Sequence, residues 1–224
     1  MKYSKYLLIF ILITVSQISF SSERGYFYEI DMYPKRLTSN CRDGLANIYE
    51  ECDSQMDILR LAFAKANESG KTLLIVYGAE WCIWCHVFDK YIKGQYKKFS
   101  YKWEYDGEIQ EWDMRERENK KAKRQAKKLN KYVSENFVVA HIEGHFSPDG
   151  IDVVEAIGFD VNKIKYLPFI FSISRSGKYA DHMLTSDAIP GLSVRKDSGE
   201  DYRGFNRDIL LEQLIKLKNS ADKD

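Results

Sequence analysis

A strand that hands a Cys-x-x-Cys pair to a helix leaves few choices of fold. Lys71-Thr-Leu-Leu-Ile-Val-Tyr-Gly-Ala-Glu-Trp-Cys-Ile-Trp-Cys-His86 has that pattern. Thr72 to Tyr77 is an apolar, β-branched run of the length and composition of a buried strand. Gly78 to Trp81 break it. From His86 to Ile92 the spacing is helical, with Val87, Tyr91 and Ile92 on or near one face. The first N–H groups of a helix have no partner within it, and the dipole there is positive. A thiol at that end is stabilised as thiolate, the reactive form. Cys82 is therefore the expected nucleophile. Cys85, almost one turn on, is the expected resolving thiol that displaces a mixed disulfide.

These residues resemble the active-site segment of the thioredoxin superfamily, Ala79-Glu-Trp-Cys-Ile-Trp-Cys-His86 in this chain. Tyr166-Leu-Pro-Phe-Ile-Phe171 resembles that family's cis-proline strand. Strand, Cys-x-x-Cys and proline strand in this order are a more specific combination than Cys-x-x-Cys alone. The resemblance spans residues 55 to 218 and implies an α/β, thioredoxin-like fold, with a central mixed sheet flanked by helices. It also implies a cis Leu167–Pro168 bond facing Cys82, in a loop that holds substrate backbone beside the disulfide. A trans proline at a strand entrance is the plain alternative.

Two other chemistries use part of the motif. Cys82-Ile-Trp-Cys-His86 fits the c-type haem pattern, with His86 as axial ligand. A preceding buried strand and the absence of a small haem-wrapping helical domain argue against it. Zinc needs a second ligand pair. Cys41 and Cys52 do not form a second Cys-x-x-Cys, and four residues of strand between His141 and His145 span about 13 Å, too far for one ion. No metal site and no cofactor are expected. His86 apart, the histidines read as ordinary surface or half-buried residues.

Met1 to Tyr6 is positively charged and Leu7 to Ile13 apolar, with small residues around Ser19 to Ser21. This predicts a secretory signal over residues 1–21. The apolar core is short against the ~20 residues of a membrane span, which favours cleavage over an anchor. The expected location is periplasmic or secreted, where disulfides persist. The remaining ~200 residues suit one domain with a core that needs no staples. The formal net charge of +1 implies no bulk nucleic-acid affinity.

Residues 22–54 read as an irregular N-terminal extension, and 55–224 as the thioredoxin-like domain with an insertion at 95–131. Cys41 and Cys52 would stand about 16 Å apart on a straight helix, so they pair only if the chain turns, which Asp43-Gly44 permits. A structural disulfide is the favoured reading; a second redox pair relaying electrons to Cys82 and Cys85 is the alternative. Asp53 or Ser54 caps a helix to about Ser69, ended by Gly70. In the insertion, Asp106-Gly107 can turn a hairpin between Ser100–Tyr105 and Glu108–Trp112. Arg115 to Lys131 then carries nine Lys/Arg and two Glu and reads as a long, highly charged helix. Its plain reading is a solvated face; its sharper reading is a surface for an acidic protein partner or anionic lipid. A strand over Phe137–Ile142, a short helix over Asp152–Ile157, a strand ending at Ile173, a returning hairpin strand and a helix over Asp208–Leu217 complete the expected elements.

The chain departs from the family in two places. The buried acid that many thioredoxins carry six residues before the first cysteine is Val76 here, and Glu80 is expected to be exposed. The dipeptide between the cysteines, Ile83-Trp84, matches neither the Gly-Pro of thioredoxins nor the Pro-His of strong oxidants. Trp81, Trp84, Leu167 and Pro168 are the expected substrate-binding residues. The resemblance implies a thiol–disulfide oxidoreductase, a reductase or isomerase of protein disulfides supplied by a separate redox partner. The competing expectation is a protein-binding module whose Cys82–Cys85 disulfide is static.

Overall fold

The computed structural model describes residues 27–39, 41, 46–97, 99–105, 108–114, 119–183, 195–197, 200–202 and 204–223. The expected signal segment, the Asp43-Gly44 and Asp106-Gly107 turns, and most of 184–203 lie outside the described residues.

The elements follow the chain as β1 (Met32–Tyr33), α1 (Gln55–Ser69), β2 (Thr72–Gly78), α2 (Ile83–Ile92), β3 (Phe99–Tyr105) and β4 (Glu108–Met114). Then come α3 (Lys120–Asn136), β5 (Phe137–Glu143), α4 (Gly150–Ala156), a 3₁₀ turn (Val161–Lys163), β6 (Phe169–Ile173) and β7 (Tyr179–His182). The hairpin β8 (Arg195–Asp197) and β9 (Glu200–Tyr202) and the helix α5 (Arg207–Ala221) close the series. Five strands form one mixed sheet in the order β1-β5-β2-β6-β7. β1, β5 and β2 run parallel, and β6 and β7 are antiparallel to their neighbours. This is the α/β, thioredoxin-like arrangement expected from the sequence.

Central β2 is buried along its whole length. Alternation sends Leu74 and Val76 to one face, where they meet Phe88, Leu129, Val133 and Leu214. Leu73, Ile75 and Tyr77 go to the other, against Ile58, Ala62 and Val153. Helices α2, α3 and α5 therefore cover one face, and α1 and α4 the other. Ser54, of the two capping candidates, accepts the Asp57 N–H, and Gly70 ends α1 at φ 67°.

Two expectations need correction. β1, read as part of an irregular extension, adds an edge strand through Met32↔Val139 and Tyr33↔Ala140. The charged helix runs over Lys120–Asn136 rather than 115–131, because the Asn119 side chain caps it by accepting the Ala122 N–H; Arg115 to Glu118 lie outside the described residues. Ala122, Ala126, Leu129 and Val133 recur at helical spacing and are buried, while Lys121, Arg124, Lys127 and Lys128 remain exposed. The helix is thus a layer of the core on one side and a basic surface on the other. The hairpin pairs as read, with Tyr105 opposite Glu108 and Tyr101 opposite Trp112.

Candidate active site

Strand β2 ends at Gly78, and the chain reaches α2 through a turn closed by Cys82 N–H to Ala79 C=O at 3.0 Å. Cys82 is the N-cap residue of α2, with extended backbone (φ −81°, ψ 101°). Both thiols are free. Both are buried; Cys82 keeps 5% of its surface and Cys85 none. Their acidities split accordingly. A hydrogen bond from the Cys85 thiol holds the Cys82 pKa below the ordinary thiol value, against an opposing contribution from burial; the N–H groups of Cys85 and Trp84 add to the lowering. Burial pushes the Cys85 thiol well up, and the neighbouring Cys82 sulfur adds to it. The surroundings thus favour the thiolate form at Cys82 and the protonated form at Cys85.

A cleft of about 970 Å³ opens above Cys82. It is lined by Trp81 to Trp84, by Ile164 to Leu167, and by Glu108 and Gln110 of β4. Leu167–Pro168 is cis, and Leu167 packs against the cluster of Tyr49, Cys82 and Cys85. The structure thus brings Trp81, Trp84 and Leu167 together around the thiols, with Pro168 next in the chain. Trp81 stands edge-on to His145 at 5.6 Å, and Trp84 to Phe205 at 6.4 Å, so both rings are also braced by packing. That β4 contributes to this cleft had no signal in the sequence beyond the hairpin itself.

The layer beneath the thiols differs most from expectation. Glu80, read as exposed, is 3% exposed. Residues 47–49 fold over it: Asn47 Nδ2 donates to Oε1 at 3.2 Å, and Ile48 N–H and Tyr49 N–H donate to Oε2 at 3.1 and 3.0 Å. His86 Nε2 lies 2.6 Å from the Glu80 carbonyl oxygen and 3.3 Å from Oε1. The atom that a haem iron would need is therefore engaged inside the protein. The loop over Glu80 is closed by a Cys41–Cys52 disulfide with a Cα–Cα distance of 5.8 Å. Glu50 inside it accepts the N–H groups of Thr38, Cys52 and Asp53. Closing a loop of this size stabilises the fold by about 3 kcal/mol in the chain-entropy model. Cys41, Glu50 and Cys52 are the one potential metal-ligating trio among the described residues, and its sulfurs are joined to each other.

His141 sits on β5 opposite Val76 in the parallel register, on the same face of the sheet. It was expected at or near the surface; it is 2% exposed. Its Nε2 has no hydrogen-bond partner among the described residues and lies 3.8 Å from Asp89 Oδ1, which pairs with Lys93 Nζ at 2.8 Å. Burial lowers the His141 pKa from 6.5 to about 4, outweighing the upward pull of Asp89. Below pH 6.5 the unfolded chain binds a proton that the folded one refuses, so stability falls as pH drops through this window. The loss attributable to His141 reaches about 3 kcal/mol near pH 4. In urea unfolding at pH 7 and pH 4, His141→Gln is expected to show a pH dependence smaller by that amount than the parent. Equal slopes in both proteins would mean that His141 is readily protonated in the fold.

No family model matches the chain, and no curated protein matches it. Among solved structures, it is similar to a disulphide isomerase from Xylella fastidiosa Temecula1, with 19% identity over 62% of this chain and 79% of that chain and a TM-score of 0.39.

Proposed function

We propose that the chain is an exported thiol–disulfide oxidoreductase that reduces or isomerises protein disulfides through Cys82 and Cys85. The observation that carries this reading is the asymmetry of the pair: a thiol of lowered pKa at a helix start, in a residue that keeps 5% of its surface, and a fully buried thiol of raised pKa one turn on. The Cys82 thiolate attacks one sulfur of a substrate disulfide and releases the other as thiolate, which takes up a proton. Cys85 then loses its proton and attacks Cys82 Sγ. The Cys82–substrate bond breaks, and the substrate ends with two thiols while the protein holds Cys82–Cys85. The cleft beside the cis-Pro168 loop is the proposed seat of the substrate chain, with Trp81 and Trp84 in its lining. Export is supported by the signal pattern at the N-terminus and by Cys41–Cys52, a bond suited to an oxidising compartment. A separate redox partner restores the dithiol, and the basic face of α3 is the proposed contact for an acidic one.

The reduction potential of Cys82–Cys85 tests the reading. The protein is equilibrated in glutathione or dithiothreitol buffers, and trapped thiols are mapped so that Cys41 and Cys52 are counted apart. A value between about −270 and −180 mV is expected, the range of reductases and isomerases. A pair that stays oxidised well below about −300 mV is a static disulfide, and the chain would then be a binding module.

A further inference from the structure

Cys85 sets a problem that the two sulfurs do not solve. To resolve the mixed disulfide it must become a thiolate, yet it has no exposed surface and its neighbours in the cluster are Tyr49, Cys82 and the flanking apolar side chains. A charge appearing there needs a hydrogen-bond donor.

The candidate donor is Tyr49. It is fully buried, and it joins Cys82 and Cys85 in one cluster. Its hydroxyl and Cys85 Sγ converge on one point: a Cβ on Gly78 would lie 2.4 Å from the first and 2.5 Å from the second. Position 78 therefore has room for no side chain while both groups stand where they do. The hydroxyl's bond to the Val76 carbonyl is 3.4 Å, long for an O–H donor, so it is weakly held and can turn to a stronger acceptor. Tyr49 is fixed from behind. Its N–H is bound by Glu80, and the Cys41–Cys52 bond closes the loop three residues on.

We propose that Tyr49 is a catalytic residue whose hydroxyl donates a hydrogen bond to the Cys85 thiolate as it attacks the mixed disulfide, a role that rests on the oxidoreductase reading above. The Cys85 proton leaves to solvent, the Cys85–Cys82 bond forms, and the departing substrate sulfur takes up a proton. Tyr49 itself stays protonated: burial raises its pKa well above the ordinary tyrosine value, which suits a donor and excludes a base. The Tyr49 contact acts on Cys85 in the complementary sense, favouring its thiolate against burial. Among the described residues the other titratable groups around the pair are Cys82, Glu80, His86 and His141, with Asp89 beside His141, and all are retained in the test below.

The test follows single turnover of the reduced protein with glutathione disulfide, quenched in acid, with the Cys82–glutathione adduct counted by intact mass from pH 5 to 9. In Tyr49→Phe, the adduct is expected to form at the parent rate and to resolve about tenfold to a hundredfold more slowly. The pH midpoint of resolution is expected to rise by about one unit or more. Formation at the parent rate shows that the site is folded. 3-Fluorotyrosine at position 49 is a stronger donor of almost the same size and is expected to move the midpoint down. Resolution with the parent's rate and midpoint in both proteins would overturn the role. Failure of the parent to yield either the adduct or the Cys82–Cys85 disulfide would overturn the oxidoreductase reading, and this role with it.

Discussion

Cys82→Ser is expected to reduce insulin disulfides no faster than background, a loss on the order of a thousandfold or more, as for removal of any enzyme nucleophile. Serine keeps the position and the cap but has no thiolate to form at neutral pH. Cys85→Ser should behave differently. Its Cys82 remains at the start of α2, with the Cys85 and Trp84 backbone N–H groups still lowering its pKa, although the hydrogen bond from the Cys85 thiol is gone. It should attack a substrate and then stall, so that a mixed disulfide accumulates and is visible as added mass on Cys82. Exposure decides which cysteine is which: 5% for Cys82 against none for Cys85. If Cys82→Ser kept turnover, or if the adduct in Cys82→Ser were found on Cys85, the assignment of the two thiols would be wrong.

How much of this was legible in the sequence depends on the range of the interaction. β2, the handover to α2 and the proline strand are local patterns, and each could be read from period and turn residues alone. The hairpin register was legible for the same reason, through Asp106-Gly107 between two alternating runs. Helix α3 was harder. Its charge dominates its composition, and half of its buried stripe is Ala122 and Ala126, which carry little hydrophobic signal; the N-terminal boundary depends on a single cap at Asn119. The edge strand β1 is two residues long and owes its existence to β5, a partner over a hundred residues away.

The site followed the same division. The thiols and the residues next to them in sequence were visible, whereas the polar groups beneath them were not. Strand β2 itself carries no acid, and Val76 stands six residues before Cys82. The structure places polar groups on neighbouring elements instead: His141 across the register on β5, Asp89 on α2, and Tyr49 in the disulfide loop. None of these separations is a motif spacing. Nothing in the sequence signals the burial of Glu80, because a glutamate beside a turn is ordinarily solvated. It is buried only because residues 47–49 cover it, and that cover is held by bonds the sequence does not announce.

Those bonds make Glu80 a residue whose loss should damage the fold. Glu80→Ala leaves the N–H groups of Ile48 and Tyr49 without their acceptor, one partly buried and one fully. Asn47 Nδ2 loses one acceptor as well, and His86 its neighbouring carboxylate. Each buried orphan costs about 1–3 kcal/mol, which gives a combined loss of about 3–5 kcal/mol. For a domain of this size that corresponds to a fall in melting temperature of about 10 °C. Glu80→Gln keeps one carbonyl oxygen and should lose about half as much. A contrast on the surface sets the scale. Lys65 and Glu68 approach to 2.9 Å, but Glu68 is 72% exposed, and Glu68→Ala should leave the melting temperature essentially unchanged. The damage should also reach the chemistry, because Tyr49 hangs from Glu80 by its backbone and lies against Cys85. At a temperature where Glu80→Ala is still folded, its mixed disulfide should resolve slowly, as in Tyr49→Phe. A Glu80→Ala protein that melts with the parent would show that the disulfide and the packing of Tyr49 hold the loop unaided, and that the buried carboxylate contributes nothing net to the site.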